Sequence, residues 1–257
     1  MKRFAAFCLT FLALFVTTES LRAQYYETNK TEDTQLHTGF DVTSRINDRW
    51  SVNWGEEFYF GNNMSEYQKL YSRLMVSYYL LPNLRIAPLV MVVANRPAQS
   101  KTMIYDFNVI YTHRIDRLAI TLRGGTRVQD ALGVERVHEG VVRANPEFQL
   151  RGHFAVGYRL HKYVEPYADI EGFYLLNPAT DDQYDPETYT VGHYFPRVRS
   201  NVGVKFHLDG NNTISLYWRY DHTQSKHLSY ELVDAPFGII TKDSVVNFLG
   251  IFYHYKF

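Results

Sequence analysis

The residues of this sequence that could perform chemistry are charged side chains that recur at alternate positions. Arg197 and Arg199 flank one valine, and Asp169 and Glu171 flank one isoleucine in the same way. Residues two apart on an extended strand project from the same side of it. Guanidinium and carboxylate groups on such a side can pair with each other, and an excess of arginine can attract small anions.

The polar sides of the alternating segments supply the candidate set, which would line an interior if the apolar sides face outward: Arg73, Arg85, Arg123, Arg127, Arg151, Arg159, Arg197, Arg199, Arg219, Glu57, Asp106, Glu165, Asp169, Glu171 and Asp221. Two roles are open for this set. The first is a packed network of ion pairs, because buried charges persist only when they are paired. The second is a narrow pore whose arginines attract small anionic solutes and whose carboxylates set selectivity.

Catalysis would need a nucleophile and a base within hydrogen-bond reach, with a third group to orient the base. Four residues on the apolar sides of their segments could take part in such chemistry at the outer wall: Ser72, Ser200, His113 and His222. A lipid hydrolase is therefore the enzymatic alternative. The sequence contains no Gly-x-Ser-x-Gly run. We expect a protein that is not an enzyme and that needs no cofactor.

Strands must position these side chains, and the alternation is clearest at the C-terminus. There one side of the chain carries Leu249, Ile251, Tyr253, Tyr255 and Phe257. The same pattern predicts strands at residues 36–46, 50–60, 69–80, 84–95, 102–115, 118–129, 147–160, 163–174, 197–208, 213–221 and 247–257. Most of them exceed the usual strand length of about five or six residues. A tilted strand needs roughly 9–11 residues to cross a membrane, so the lengths indicate a membrane protein.

The connections between the predicted strands alternate in length. Short turns fall at 47–49, 81–83, 116–117, 161–162 and 209–212. Long polar segments fall at 61–68, 96–101, 130–146, 175–196 and 222–244. This asymmetry is typical of outer-membrane barrels, whose short turns face the periplasm. The long segments could also form a surface for interaction, and residues 130–143 contain enough apolar positions for a short helix or a lid.

Residues 1–23 have the pattern of a secretory signal peptide. A basic pair precedes an apolar run at 4–18 that is short for a membrane-spanning helix, and cleavage is expected before Gln24. Cleavage removes Cys8, the only cysteine, so disulfides cannot stabilise the rest of the chain. It also leaves a net charge of about −2, which gives no reason to expect a nucleic-acid partner.

The predicted fold is a closed antiparallel transmembrane β-barrel of about twelve strands, formed by residues 24–257. The pattern shows eleven strands, whereas single-chain bacterial barrels normally have an even number. Residues 24–35 are therefore expected to form either a short twelfth strand or a plug in the lumen, and ten strands remain an alternative. A soluble β-barrel or sandwich would also alternate, but its apolar sides would face inward.

Three segments resemble an uncharacterised family of outer-membrane barrels catalogued as a domain of unknown function: YVEPYADIEGFY at 163–174, RVRSNVGVKFHL at 197–208 and GIFYHYKF at 250–257. The resemblance extends over nearly all of residues 24–257. It implies the barrel fold and an outer-membrane location in a Gram-negative cell. It implies no catalytic or binding residues, because the family has none established.

The terminal aromatic residues Phe257, Tyr255 and Tyr253 are similar to the signal that the barrel-assembly machinery of the outer membrane recognises. We therefore expect a monomer whose partners are outer-membrane lipids and that machinery. Its predicted role is structural or that of a narrow passive channel for small polar or anionic solutes. A lipid hydrolase and a surface-interaction protein are the alternatives.

Overall fold

The computed structural model describes residues 25–96, 100–133, 137–138, 141–142, 146–178, 191, 193–229 and 238–257. The predicted signal peptide lies outside these residues. The strands are β1 (Tyr25–Arg45), β2 (Trp50–Gly61), β3 (Glu66–Leu81), β4 (Leu84–Asn95), β5 (Ser100–Ile115), β6 (Leu118–Leu132), β7 (Val137–His138), β8 (Val141–Val142), β9 (Glu147–Tyr158), β10 (Val164–Leu175), β11 (Arg197–His207), β12 (Asn212–Ser229) and β13 (Gly238–Lys256). The described residues include no helix long and apolar enough to cross a membrane.

Eleven of these strands close into a barrel, and the short strands β7 and β8 pair with each other beside the end of β12. Neighbouring barrel strands pair antiparallel in chain order, with β6 beside β9. The barrel closes through a parallel pair of β1 and β13, in register from Tyr25 with Gly238 to Thr43 with Lys256. An odd number of up-and-down strands makes the first and the last run in the same direction. The predicted closed barrel of about twelve strands is confirmed, with eleven strands and one parallel seam.

Residues 25–35 extend β1, so they form neither a twelfth strand nor a plug. They pair with residues 238–248 of β13, which also pairs with β12 on its other side. A strand segment needs hydrogen-bond partners for its backbone N–H and C=O groups, and residues 238–248 of β13 supply them here. The prediction of a separate element for this segment is therefore corrected.

Two strands at the long-loop end reach beyond their neighbours, and a short strand covers part of the exposed edge. β12 and β11 pair only as far as Thr223 with Arg197, although β12 continues to Ser229. β8 pairs with the last two residues of β12. Unpaired strand edges expose backbone groups to unwanted partners, so β8 protects this edge. The segment predicted as a short helix or lid, 130–143, thus contributes the end of β6 and the β7–β8 pair.

Asn and Asp side chains form several of the short turns. The Oδ1 atom of Asn47 accepts hydrogen bonds from the backbone N–H groups two and three residues later, at 2.8 and 2.9 Å. Asp209 accepts in the same way from Asn211 and Asn212, both at 2.7 Å. These donors hold the pKa of the Asp209 carboxyl below its usual value. Asp116 adopts a φ of 51°, in the left-handed region that Asp tolerates well.

The two faces of the barrel wall differ in polarity. Large apolar side chains such as Trp54, Phe107 and Leu249 are exposed on the outside. Polar and charged side chains such as Asp106 and Glu171 are buried on the inside. A soluble barrel or sandwich has the reverse arrangement, so the structure overturns that alternative. The polar faces enclose a lumen.

One part of the inner face is apolar. It consists of Leu89, Met91, Val93 and Ile104, with Tyr71 and Met75 packed against them. The neighbouring Val90 and Val92 are exposed on the outer side of the same strand, β4. Strand alternation therefore holds in β4, but both of its faces are apolar. This patch gives the lumen a small apolar area within a mostly polar wall.

Candidate functional site

A continuous row of ion pairs follows the inner wall from β5 to β12, and we call its five arginines the arginine belt: Arg123, Arg127, Arg151, Arg197 and Arg199. The row begins at Asp106, to which Arg127 donates from Nε at 2.7 Å and from Nη2 at 2.8 Å. Arg151 donates to the same carboxylate and also, through Nε, to Glu171 at 2.6 Å. Bidentate, charge-assisted contacts of this kind are the strong hydrogen bonds of proteins.

Glu171 is the centre of the row. It accepts hydrogen bonds from three belt arginines, Arg123, Arg151 and Arg199. Arg199 also lies 3.4 Å from Asp221, which Arg197 binds through both Nε and Nη2. Five guanidinium groups therefore share three carboxylates, and this part of the wall keeps a positive charge.

An aromatic ring packs against the belt. Phe173 is only 1% exposed, and the guanidinium carbon of Arg127 lies 4.7 Å from its ring centroid. The guanidinium carbon of Arg151 lies 5.4 Å from the same centroid. A cation over an aromatic face is attracted by roughly 0.5–2 kcal/mol, depending on its hydration. Phe173 thus fixes the positions of two arginines that also share Asp106.

A second group of polar residues, the Glu57 cluster, contains His37, Glu57, Tyr59, Arg73 and Tyr217. The Glu57 carboxylate forms an ion pair with Arg73 at 2.9 Å. It also accepts hydrogen bonds from the Tyr59 hydroxyl at 3.0 Å and from the Nε2 atom of His37 at 3.1 Å. A carboxylate can only accept, so Nε2 of His37 carries the ring proton. The Nδ1 atom then accepts from the Tyr217 hydroxyl. Both ring nitrogens of the buried His37 therefore have partners, as buried polar groups require.

The contact between Tyr217 and His37 depends on a glycine. Tyr217 lies opposite Gly250 in the β12–β13 register, and its ring crosses β13 there to reach β1. A Cβ atom at position 250 would lie 2.1 Å from the Cζ atom of the tyrosine ring. Only a residue without a side chain allows this close approach.

The described residues line an outer, a middle and a mouth cavity that follow one another along the lumen. The outer cavity, of about 230 Å³, is bounded by four belt arginines and by the apolar patch. The middle cavity, of about 420 Å³, is bounded by His153, Asp169 and Lys205 among others. The mouth cavity, of about 1180 Å³, lies at the short-turn end. Glu57 and Arg73 line both the outer and the middle cavity, so this ion pair separates the two.

The mouth cavity is basic. Its wall carries five cationic residues, Arg45, Arg49, Arg85, Arg114 and Lys256. Asp48 is the only carboxylate in the described part of that wall. Charge of one sign around an opening concentrates ions of the other sign, so this end of the lumen attracts anions.

Comparison with known proteins shows a family match and a similar solved structure. The family model described as "Protein of unknown function (DUF2490)" matches residues 34–230. The chain belongs to this family. Among solved structures it is similar to the NanC porin in a rhombohedral crystal form, with 10% identity and a TM-score of 0.47, over 74% of this chain and 87% of that one. No curated protein matches it. The family match confirms the resemblance seen in the three sequence segments.

The other sequence-predicted residues of this DUF2490 barrel lie deeper in the lumen or near the short turns. Arg219 donates from Nε to Asn201 at 2.7 Å and from Nη1 to Tyr59 at 3.2 Å. The amide of Asn201 in turn donates to Asp169 at 2.6 Å. These contacts join Arg219 to the Glu57 cluster and place Asp169 beside the middle cavity.

Arg85 and Arg159 lie toward the short turns. Arg85 donates to the hydroxyl of Tyr79 at 3.0 Å, and Arg159 lies 3.4 Å from Glu165. The predicted set is therefore distributed over three levels: the belt, the Glu57 cluster and the short-turn end. Within the residues that the structure describes, no group of three or more histidine, cysteine, aspartate or glutamate residues could hold a metal ion.

The outer-wall residues considered for catalysis in this DUF2490 barrel are not brought together. Ser72 donates to Glu56 at 2.6 Å on the outer face. His113 stacks on Tyr111, and His222 lies 3.6 Å from an aspartate. Among the described residues no hydrogen bond joins Ser72 or Ser200 to either histidine.

A serine and a histidine do meet inside the lumen. The Oγ atom of Ser215 lies 3.0 Å from Nε2 of His254, and Nδ1 of His254 lies 2.8 Å from Asp41. Asp41 also forms an ion pair with Arg73 at 3.1 Å. Both Ser215 and His254 fall on polar sides of sequence segments, but their contact follows from the strand register, which the sequence alone does not show.

The terminal aromatic residues stand at the β1–β13 seam. Phe257 is highly exposed, and its backbone C=O accepts from Arg45 at 3.1 Å while its N–H donates to Thr43 at 3.0 Å. Its ring centroid is 5.8 Å from that of Tyr255. Tyr253, on the same outer face, is also exposed. The last residue of this DUF2490 chain thus helps to pair the two strands that close the barrel.

Proposed function

We propose that the protein resides in the outer membrane with its exposed apolar side chains against lipid. In water an apolar surface of this extent would be costly, whereas a hydrocarbon layer covers it. Aromatic side chains are exposed near the short turns, at Trp50 and Tyr158, and toward the long loops, at Tyr105 and Phe148. Two such girdles are typical of barrels at the two lipid–water boundaries. The expected signal peptide agrees with export.

Fractionation of cells expressing the full chain tests this location. The protein should sediment with the outer membrane and should be released by detergent but not by high salt. Recovery as a soluble monomer without detergent would contradict the proposal.

Within that membrane we infer a narrow channel that prefers small anions. The observation that carries this inference is the arginine belt, in which five guanidinium groups share three carboxylates. The basic mouth cavity adds positive charge at the other end of the lumen. Rings of arginine and lysine are the usual selectivity elements of anion pores.

Side chains of the Glu57 cluster interrupt the route through the lumen between the outer and the middle cavity. A solute from the long-loop side would enter the outer cavity, pass Arg73 and Glu57, and reach the middle and mouth cavities. Arg73 is about a quarter exposed, and its Nε atom has no hydrogen-bond partner within the described residues. Its side chain is therefore the one that must move for a solute to pass.

Reconstitution into planar bilayers tests the channel. Single-channel steps of low conductance are expected, and a potassium chloride gradient should give a reversal potential that indicates chloride preference. Replacing Arg199 with Gln should reduce that preference, whereas Arg117→Gln on an exposed short turn should leave it unchanged. An absence of steps from protein shown to be inserted would contradict a channel and would leave a purely structural barrel.

Hydrolysis of small esters is a second candidate, favoured by one observation. Ser215, His254 and Asp41 have the connectivity of a catalytic triad, and Ser215 and His254 line the middle cavity. Asp41 accepts the Nδ1 proton of His254, which leaves Nε2 free to accept the Ser215 proton. Ser215 itself is only 2% exposed, so an ester must reach it from that cavity.

The reaction would proceed through an acyl-enzyme. As the Ser215 oxygen bonds to the ester carbonyl carbon, its proton passes to His254; the bond to the alcohol oxygen then breaks, and His254 returns the proton to the alcohol. Water next attacks the acyl carbon and gives a proton to His254, which passes it to the Ser215 oxygen as the carboxylic acid leaves.

Labelling with a fluorophosphonate and hydrolysis of 4-nitrophenyl acetate test this candidate. Wild-type protein should be labelled at Ser215, and Ser215→Ala should remove both labelling and turnover. Ser77→Ala, at another buried serine of the inner wall, serves as the control. If the wild-type protein is not labelled, or the Ser215 variant hydrolyses the ester as well as wild type, the candidate is excluded.

A further inference from the structure

The outer cavity has two chemically different walls. One wall carries the belt arginines except Arg123, and another carries the apolar Met91, Val93 and Ile104 beside the polar Asn95 and Thr102. The apolar residues belong to β4 and β5, and four strands separate β4 from β11 in the sheet, where two of the arginines lie. The cavity therefore offers a cationic surface and an apolar surface to the same occupant.

The cationic wall has hydrogen-bond donors to spare. The Nε atoms of Arg73 and Arg199, two residues that line the cavity, are buried without a hydrogen-bond partner among the described residues. For Arg199 this atom lies 3.4 Å from Asp221, close enough for charge attraction but poorly placed for a hydrogen bond. Because these Nε atoms are almost inaccessible, an anion would bind the Nη groups instead. A guanidinium group carries four Nη–H donors, and Arg199 uses one of them for Glu171 among the described residues, so others can bind an anion.

The size and the apolar wall restrict the class of anion. A volume of about 230 Å³ is smaller than the roughly 300–1,000 Å³ of sites for drug-sized molecules, so only a small solute fits. The hydrocarbon part of such an anion can pack against Met91, Val93 and Ile104 and remove them from water. A carboxylate with an apolar body satisfies both walls.

We propose that the outer cavity binds small organic anions with an apolar body, such as aromatic or short branched carboxylates. This inference rests on the proposed channel function and specifies its solute class. The carboxylate would accept hydrogen bonds from the belt, and the hydrocarbon part would lie against the β4–β5 patch.

Fluorine NMR of 4-fluorobenzoate with the purified, detergent-folded protein tests the proposal. Saturable broadening or shift of the fluorine signal is expected, and unlabelled benzoate should reverse it. The neutral isostere 4-fluorobenzamide lacks the negative charge, and inorganic phosphate lacks the apolar body. Both should compete at least tenfold more weakly than benzoate.

Two pairs of variants test the contributions of the apolar and the cationic wall separately. Val93→Thr keeps the shape of the apolar wall but adds a hydroxyl, and it should weaken fluorobenzoate binding about fourfold. Val92→Thr, at the exposed neighbour on the outer face, should leave binding unchanged. Arg199→Gln should weaken binding by about tenfold, and Arg117→Gln on a short turn should not.

The outcomes distinguish this inference from the channel itself. Channel steps without saturable fluorobenzoate binding would overturn the solute class and leave the channel. Equal binding of fluorobenzoate and fluorobenzamide, or equal effects of Val93→Thr and Val92→Thr, would also overturn it, since detergent partitioning gives that result. Specific binding without channel steps would keep the site and contradict transport.

Discussion

Arg127 and Asp106 lie directly opposite each other on β5 and β6 and are joined by two hydrogen bonds, at 2.7 and 2.8 Å. Both side chains are almost fully buried. A paired guanidinium and carboxylate satisfy each other there, but either one alone would be an uncompensated charge in a poorly hydrated wall. The pair therefore fixes the belt at the point where Arg151 joins it.

Replacing Asp106 with Asn should destabilise the barrel by about 3–5 kcal/mol, because Arg127 loses its carboxylate partner and Arg151 loses one of its two. Urea unfolding of the detergent-folded protein, followed by tryptophan fluorescence, measures the change. Asp48→Asn is the matched control, since Asp48 is exposed and lies 3.6 Å from Arg45. Exposed pairs contribute about 0–1 kcal/mol. Similar losses in the two variants would contradict a structural role for the belt.

Much of the wall could be predicted from the sequence, because strand alternation assigns each residue to a face. The predicted segment 84–95 coincides with β4, and 118–129 falls within β6. The same alternation assigns Arg197 and Arg199 to one face before any contact is known. Ion pairs between neighbouring strands then follow from short turns, which fix the register of hairpins such as β5–β6.

Contacts across the seam could not be predicted, because they depend on which strands close the barrel. Asp41 lies opposite His254 only through the parallel β1–β13 pairing, over a sequence separation of 213 residues. A separate twelfth strand at residues 24–35 would have taken the place of β1 beside β13. The side chain of Tyr217 likewise reaches His37 only by crossing Gly250, and alternation gives no sign of such a crossing.

A methyl group at position 250 should disturb the Glu57 cluster. In Gly250→Ala the new Cβ would overlap the ring of Tyr217, 2.1 Å from its Cζ atom. This overpacking should lower the free energy of unfolding by about 1–3 kcal/mol. Urea unfolding measures the loss, and the additional change Tyr217→Leu should restore part of it. Gly152→Ala is the control, since a Cβ there meets no atom within 4 Å. If both alanines cost the same, general strand effects of glycine would explain the result.

Asp209 should make the stability of the short turn at 209–212 depend on pH. Backbone N–H donors at Asn211 and Asn212 hold its pKa below the usual value, so its contribution to stability is complete above about pH 4. That contribution decreases as the pH falls toward the lowered pKa. Asp209→Asn keeps an acceptor oxygen but cannot be protonated, so the shift in unfolding midpoint between pH 7 and pH 3 should be smaller than in wild type. An unchanged shift would contradict this assignment.

A charge on the last residue should impair assembly. Phe257→Lys removes the exposed terminal ring beside Tyr255, and the amount of folded protein in the outer membrane should fall several-fold. Heat-modifiable migration on gels and immunoblots of membrane fractions measure that amount. Phe148→Lys, at an exposed aromatic near the long loops, controls for the lipid cost of the same charge. Equal insertion of Phe257→Lys and wild type would remove the assembly role.

Shortening Arg73 should widen the passage between the outer and middle cavities. The double change Arg73→Gln with Glu57→Gln removes both charges of this pair and leaves amides that can bind each other and His37, while Asp41 keeps its contact with His254. The volume released lies where the two cavities share their wall, and single-channel conductance should therefore rise at least twofold. Chloride preference should persist, because the belt arginines are unchanged. Unaltered conductance would show that the narrowest point lies elsewhere, and a lost preference would assign selectivity to Arg73 instead of the belt.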